Sequence, residues 1–97
     1  MKFTLEPATD QVHKWVGVFT DPVTKDERRI SFGAKGYEDY TMHRDPLRRL
    51  NYLSRHRTRE NWNSPLTAGS LSRWLLWGDS TSLQTNVRRF KRRFGLK

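Results

Sequence analysis

The sequence contains no cysteine and no long apolar run, and both absences restrict what the protein can be. Without cysteine, the 97-residue chain has neither a disulfide framework nor a thiolate metal site. No apolar stretch approaches the roughly 18 residues of a membrane-spanning helix, and no apolar signal-peptide segment follows Met1. We therefore expect a soluble, intracellular protein with no membrane partner.

Apolar residues are also scarce. They make up 34% of the chain, which is below the roughly 45–50% of an ordinary globular protein. Aromatic residues, among them four tryptophans, compensate because each of them can bury a large area. The length fits one domain, residues 1–97, with a small core. Because a core of this size is often extended by a second subunit, we expect a homodimer.

Acidic residues are nearly missing from the second part of the chain. Residues 1–40 carry six Lys and Arg against seven Asp and Glu, a net charge of −1, whereas residues 41–97 carry thirteen against three, a net charge of +10. Eleven of those thirteen cations are arginines, whose planar fork of donors matches a phosphate or the edge of a guanine. This arginine-rich half predicts a polyanionic partner, in the first place nucleic acid.

Extended segments are predicted in the first forty residues. His13–Thr20 is rich in valine and aromatic residues and predicts a β-strand. A turn begins at Asp21-Pro22, because Asp at the first position and Pro at the second suit a type I turn. Arg28–Ala34 is then the returning strand, and the alternation in Lys2–Glu6 predicts a short edge strand. We expect an antiparallel β-hairpin or a three-stranded sheet.

The periodicity changes to that of a helix from Asp45 onward. Asp45 is a suitable N-cap, and Pro46 suits the first helical position. A leucine at every third position then gives an apolar stripe that ends at about residue 56. The stripe consists of Leu47, Leu50 and Leu53.

Two further helices are predicted, which makes three in total. Ser64-Pro65 carries the same cap-then-proline signal, ahead of a very apolar helix around Leu71–Trp77. Ser80 or Ser82 caps the last helix, and Gly95 ends it. Its apolar stripe consists of Leu83, Val87, Phe90 and Phe94. Strands followed by helices predict an α+β fold in which residues 1–40 form the β part and residues 41–97 the basic helical part.

The last helix carries the strongest functional signal, which is a run of basic residues in its second half. One or two cations complement the dipole at a helix C-terminus, whereas five within six residues repel one another. We therefore predict that this run binds nucleic acid; a solvated helix face and a nuclear-localisation signal are the alternatives. The predicted binding residues here are Arg88, Arg89, Lys91, Arg92 and Arg93.

A second basic group lies in and after the first helix, and we predict that it also binds nucleic acid. Three of its arginines, at positions 48, 55 and 59, share one face if the helix continues that far. Structural roles for these arginines, next to Asp45 or Glu60, are an equal alternative. The group consists of Arg48, Arg49, Arg55, Arg57 and Arg59.

Aromatic residues lie among these cations, and such interleaving can bind single strands by stacking. Most of them must form the core, and Trp62 and Tyr40 are the two that we expect at the surface. Catalysis has little support, because His43, His56 and Glu60 match no established hydrolytic or metal-ligand spacing. We predict no catalytic residue, no metal site and no cofactor, and we keep a small nuclease as the last alternative.

Two stretches of the chain resemble a small, basic, uncharacterised domain family of the nucleocytoplasmic large DNA viruses, the giant viruses. They are FGAKGYEDYTMHRD at Phe32–Asp45 and the longer segment Tyr52–Phe94. The most specific parts are WN at residues 62–63, TAGSLSR at 67–73 and LWG at 76–78. The resemblance implies a viral origin, with the protein in the virion and the infected host cell, either in a cytoplasmic viral factory or in the host nucleus. It implies no catalytic residues.

These observations together predict a non-enzymatic viral protein that binds DNA through its phosphates, with weak sequence specificity, and acts on genome packaging or accessibility. The alternative is a protein–protein interaction module, either a minor virion component or an effector that acts on host nuclear proteins.

Overall fold

Three antiparallel strands form the N-terminal part of the protein. The structure is a computed structural model that describes all 97 residues. The strands are β1 (Lys2–Pro7), β2 (His13–Thr20) and β3 (Glu27–Ala34), and they lie in the order β1-β2-β3. The three-stranded sheet followed by helices is therefore confirmed, and so is the α+β fold class.

The alternation of side chains along the strands places the core on one face of the sheet. Phe3 of β1 is opposite Phe19 of β2, and Trp15 of β2 is opposite Phe32 of β3. The three phenylalanines of this face are almost completely buried beneath the helices. The central strand has a glycine on the same face, Gly17, where an added Cβ would lie only 3.0 Å from the Leu71 side chain. A helix can therefore approach the sheet closely at this point.

The opposite face of the sheet is covered by its own charged side chains. Arg29 of β3 reaches across β2 and donates a hydrogen bond to Glu6 of β1, at 2.6 Å between Nη2 and Oε1. Val18, which lies between them on β2, is only 2% exposed.

A short helix that was not predicted precedes the first predicted one. It is α1 (Tyr40–His43), and the buried Asp39 carboxylate caps its N-terminus. Arg44 ends it in a left-handed conformation, with φ at 58°. The next helix, α2 (Pro46–His56), begins and ends as predicted, because the Asp45 carboxylate accepts the backbone N–H groups of the first turn.

The first two leucines of the apolar stripe predicted for α2 face solvent, and the third, Leu53, is half-buried. Leu47 and Leu50 are 66% and 56% exposed, whereas the buried residue of this helix is Tyr52. The helix contacts the end of the π turn through Arg49, which donates to the Trp77 carbonyl, and through Tyr52, whose ring stacks on that of Trp77. Polar and aromatic side chains make these contacts, so a search for apolar periodicity finds the wrong face.

The apolar helix begins later than predicted. Its N-cap is Thr67, whose hydroxyl accepts the backbone N–H of Ser70 at 3.1 Å; Ser64-Pro65 caps no helix, and that prediction was wrong. One α-helical turn, α3 (Ala68–Leu71), continues directly into a π-helical segment (Ser72–Leu76), which we call the π turn. Leu71, Leu75 and Leu76 of this continuous helix are buried against the sheet and the last helix.

The last helix, α4 (Leu83–Phe94), has the caps and the apolar stripe that the sequence predicts. The Ser82 hydroxyl caps its N-terminus, and Gly95 ends it in the left-handed conformation, with φ at 64°. Phe90 is 1% exposed, and its ring centroid lies 4.9 Å from that of Phe3. Sheet, π turn and α4 thus share one core. None of the helices has the length and apolar character needed to cross a lipid bilayer.

Candidate nucleic-acid interface

The basic residues of α4 occupy nearly all of the surface that the core does not cover in the second half of the helix. Successive residues of an α-helix are rotated by about 100°, so its stripe of four apolar residues faces the core while the cations fill the remaining sides. Arg88, Arg89, Arg92 and Arg93 are exposed, and Lys91 is half-buried. Four of the five predicted binding residues are therefore exposed to solvent.

No acidic side chain neutralises this helix. The structure contains seven ion pairs, and none of them involves a residue of α4. Arg88 donates to the hydroxyl of Thr85 at 3.1 Å, while Arg89 and Arg92 make no side-chain hydrogen bond. Unpaired guanidinium groups on one helix produce a concentrated positive potential that is suited to phosphate groups.

A shallow cleft beside α4 extends this positive surface. It has a volume of about 400 Å³ and lies between α4 and the residues that follow the π turn. Arg89, Arg92 and Arg93 line it together with the ring of Trp74. Its one carboxylate, that of Asp79, already accepts a hydrogen bond from Arg49 at 2.6 Å.

Arginine and tryptophan side chains stack next to this cleft. The guanidinium carbon of Arg93 lies 3.9 Å from the ring centroid of Trp74, and that of Arg73 lies 4.2 Å from the same centroid. Arg73 also lies 5.1 Å from the ring centroid of Trp62. Burial lowers the pKa of the Arg73 guanidinium, and the positive charges of Arg49 and Arg93 lower it further. It stays protonated at neutral pH because a guanidinium does not lose its proton in proteins.

The side chain of Arg49 makes contacts within the fold, which favours the structural alternative for this member of the second basic group. Its Nε donates to the backbone carbonyls of Trp77 and Gly78 at 3.1 and 3.0 Å, and its Nη2 donates to Asp79. These carbonyls follow the π turn, where helix ends leave carbonyl groups without backbone partners, and the Trp77 carbonyl also accepts a hydrogen bond from Nη1 of Arg73 at 3.2 Å. Arg49 thus connects α2 to the π turn, and its side chain is only 18% exposed.

The other members of the second basic group do not form one surface. Arg48 and Arg55 line a cleft beside β3, whereas Arg57 lines a different one next to Trp62. Because α2 ends at His56, Arg59 lies beyond the helix and does not share a face with the other two. The predicted cluster is therefore divided among at least two sites.

The two aromatic residues expected at the surface make intramolecular contacts instead. Trp62 is half-buried beneath Arg73, and its indole N–H donates to Glu60 at 2.9 Å. Tyr40 is half-buried, with the guanidinium of Arg49 5.6 Å from its ring centroid. Each ring thus has a guanidinium group of the same chain as a neighbour.

The three side chains considered for catalysis do not form one site, because only His56 and Glu60 come together. His56 and Glu60 lie 3.2 Å apart, between Nδ1 and Oε2. His43 lies elsewhere, with its ring centroid 5.3 Å from that of Trp77 and its Nδ1 accepting the backbone N–H of Asp45. No group of three His, Asp or Glu side chains has an arrangement that could hold a metal ion.

Sequence reasoning missed two residues on which this interface depends. Arg73 joins the π turn to Trp62, and Asn86 fastens α4 to the end of the π turn. Two signals could have identified them. Arg73 is a lone cation within the apolar segment Leu71–Trp77, and Asn86 is a lone amide on the apolar side of α4.

The chain matches one protein family, and the match covers the sheet and the first two helices. No curated protein and no solved structure matches the chain. The match extends over residues 3–56, and α4 lies outside it. Since these residues are more than half of the sequence, the chain belongs to the family of unknown function DUF5754.

Proposed function

We propose that the protein is a non-enzymatic nucleic-acid-binding protein that holds DNA against α4. The observation that supports this most strongly is the run of five cations on α4, none of which is paired with a carboxylate. Each phosphate of DNA carries a full negative charge, and arginine can donate two hydrogen bonds to it at once. The helix therefore offers the charge and the donor geometry that a DNA backbone requires.

Binding through phosphates agrees with the state of the aromatic residues. A surface that binds single strands needs aromatic rings with a free face. The ring of Trp74 is covered by two guanidinium groups, and Tyr52 lies between Trp77 and His56, with ring centroids 4.1 and 4.2 Å away. Phosphate contacts carry no sequence information, so we propose weak sequence specificity.

The biological setting is part of the same proposal. The resemblance of residues 32–45 and 52–94 to a domain family of the giant viruses favours a role in packaging the viral genome or in controlling access to it. The protein would then act in the virion and in the infected host cell, where the genome is replicated or packed.

A homodimer is also proposed, with α2 as its contact surface. The apolar segment Leu71–Trp77 is covered within the single chain, by the sheet, α2 and α4. The exposed large apolar side chains of the helical part are Met42 on α1 and, on α2, Leu47 and Leu50. Two copies joined there would present two basic helices to one DNA molecule, which raises the overall affinity.

The proposal is tested by measuring DNA affinity at several salt concentrations. Fluorescence anisotropy with a 25-base-pair duplex of arbitrary sequence should give a linear fall of log affinity with log salt concentration. Replacing the four exposed arginines of α4 by glutamine should weaken binding by more than about tenfold and reduce the slope by about 3.6, since each lost phosphate contact removes about 0.9. The variant should stay folded because the apolar stripe is unchanged.

A control variant with the same loss of charge separates the effect of the α4 arginines on DNA affinity from the effect of the net charge of the chain. Four exposed cations of the β part make no ion pair and can be replaced by glutamine together: Lys2, Lys25, Arg28 and Lys35. We expect this variant to bind DNA within about threefold of the unmodified protein. Equal losses in the two variants would mean that only net charge matters, and unchanged affinity in the α4 variant would rule out the proposed interface.

A further inference from the structure

A polar cleft of the protein lies away from α4, between α2 and the end of β3. Its volume is about 470 Å³, which is within the range of roughly 300–1,000 Å³ that small-molecule sites occupy. Tyr52, Leu76 and Trp77 contribute to its wall from the packed part of the domain. The rim is polar, and Lys14, Arg48 and Arg55 contribute cations to it.

The three cations of this cleft differ in how far they are already neutralised. Lys14 is mostly buried, and its Nζ lies 2.7 Å from a carboxylate oxygen of the buried Asp39, so its charge is compensated. Arg48 lies 3.6 Å from Glu38, and both side chains are about half exposed, so this contact is weak and can be exchanged for another partner. Arg55 has no carboxylate partner. Two guanidinium groups are therefore available to an anion.

These two arginines lie on the same side of α2. They are seven residues apart, which is two helical turns or about 10 Å along the axis. Asn51 lies between them on that side and also lines the cleft. Its amide group can both donate and accept hydrogen bonds, which is the pattern that recognises the edge of an adenine.

The cleft also has an aromatic ring with free faces. Tyr37 is 74% exposed and contacts no other aromatic ring or guanidinium group. It follows Gly36, whose backbone has φ at 91°, so that the chain turns there and carries Tyr37 to the mouth of the cleft. The ring of Tyr52, in contrast, is stacked between Trp77 and His56 and is not available to a ligand.

We propose that this cleft binds a nucleoside monophosphate, with the phosphate at Arg48 and Arg55 and the base against Tyr37 and Asn51. The volume exceeds what an inorganic phosphate needs, and the free ring and the amide are the groups that recognise a base. The site is separate from α4 and does not depend on DNA binding there. It would hold either a free nucleotide or a nucleotide at the end of a strand, since both offer the same chemistry.

The experiment is an NMR titration of the isotopically labelled full chain with deoxyadenosine 5′-monophosphate. We expect saturable shifts of the backbone amides of Gly33 and Tyr37 and of the side-chain amide of Asn51. Deoxyadenosine and inorganic phosphate, titrated separately, should each bind at least tenfold more weakly. If either fragment binds as tightly as the nucleotide, or if the shifts are absent or confined to α4, the proposal is wrong.

Matched variants then separate this site from non-specific attraction. Arg55→Gln should weaken nucleotide binding by tenfold or more, whereas Arg57→Gln, which removes the same charge from an exposed residue that lines another cleft, should change it less than twofold. Tyr37→Ala should weaken binding of the nucleotide without changing that of phosphate. The α4 glutamine variant should bind the nucleotide normally, so a failure of the DNA-binding proposal is distinguishable from a failure here. Equal effects of Arg55→Gln and Arg57→Gln would overturn the assignment.

Discussion

Replacing Asn86 by alanine should destabilise the protein by about 3 kcal/mol or more. Asn86 is 1% exposed, although it lies on a helix whose other inward residues are apolar. Its side-chain amide donates to the carbonyls of Leu75 and Ser80 at 3.0 and 2.8 Å, and its carbonyl accepts the N–H of Ser80 at 3.2 Å. The net loss per hydrogen bond is about 1 kcal/mol, and buried partners left unpaired cost more than that.

This loss is large compared with the total stability of so short a chain. A domain of this size unfolds with about 5–15 kcal/mol. For such a domain each kcal/mol lowers the melting temperature by about 4–8 °C. We therefore expect Asn86→Ala to melt about 12–24 °C below the unmodified protein, as measured by circular dichroism at pH 7. Gln84→Ala, at an exposed position of the same helix, is the control and should melt within a few degrees of the unmodified protein.

A second substitution at the same position tests the direction of the hydrogen bonds. Asn86→Asp keeps the acceptor but replaces the donor by an oxygen that faces two carbonyl groups. Burial disfavours the charged carboxylate, so the folded-state pKa of the introduced group lies above its unfolded value, and its destabilising effect diminishes as the pH falls. The difference in melting temperature from the unmodified protein should therefore be smaller at pH 5 than at pH 7. A melting temperature of Asn86→Ala within about 4 °C of the unmodified protein would refute the argument, since that shift corresponds to about 1 kcal/mol.

Four further predictions follow from the same structure. Arg49→Gln should lower the free energy of unfolding, measured in urea, by about 2–3 kcal/mol, because the carbonyls that end the π turn lose a charged donor. The DNA affinity of the folded variant should change less than threefold. A larger change in affinity at normal stability would show that Arg49 contacts DNA. Burial raises the pKa of Tyr52 above its ordinary value of 10.0, so the folded state loses stability as the pH rises above that value. Tyr52→Phe should lessen this alkaline loss. Parallel curves of unfolding free energy against pH for the two proteins would contradict the prediction. Trp74→Ala should cost about 3 kcal/mol, whereas a variant that melts normally but loses DNA binding would show that this ring binds bases. Light scattering at micromolar concentration should give a dimer mass, and glutamine at Leu47 and Leu50 should give a monomer; a monomer of the unmodified protein at every concentration would exclude the dimer.

The local chemistry of the chain determined most of the secondary structure. Asp45 with Pro46, Ser82 and Gly95 are residues whose side chains or backbone freedom favour one position at a helix end, so they predict the limits of α2 and α4 without any knowledge of the fold. The alternation in β2 is equally local, because successive side chains of a strand point to opposite faces. The prediction of a helix start at Ser64-Pro65 was wrong because Thr67 offers the same capping chemistry closer to the residues that pack on the sheet.

The basic surface of α4 could also be predicted from sequence, for a geometric reason. An amphipathic helix that packs through a complete apolar stripe exposes its remaining sides to solvent. The cations at positions 88–93 lie outside that stripe, so the sequence predicts that they are on the exposed sides of the helix. The absence of acidic residues after Asp79 meant that no partner nearby in the chain could neutralise them. Whether a distant carboxylate reaches them is a question of tertiary structure, and none does.

Tertiary packing alone decided which of the other charged and aromatic residues are free. Arg49 and Arg55 have the same chemistry and lie on the same helix, yet one is held by carbonyls 28 and 29 residues away and the other lines an open cleft. Tyr37 and Tyr52 differ in the same way, since one ring is exposed and the other is stacked on both sides. Local periodicity does not encode contacts between residues that are distant in sequence. For this reason the cleft that Arg55 and Tyr37 line could be found only in the folded structure.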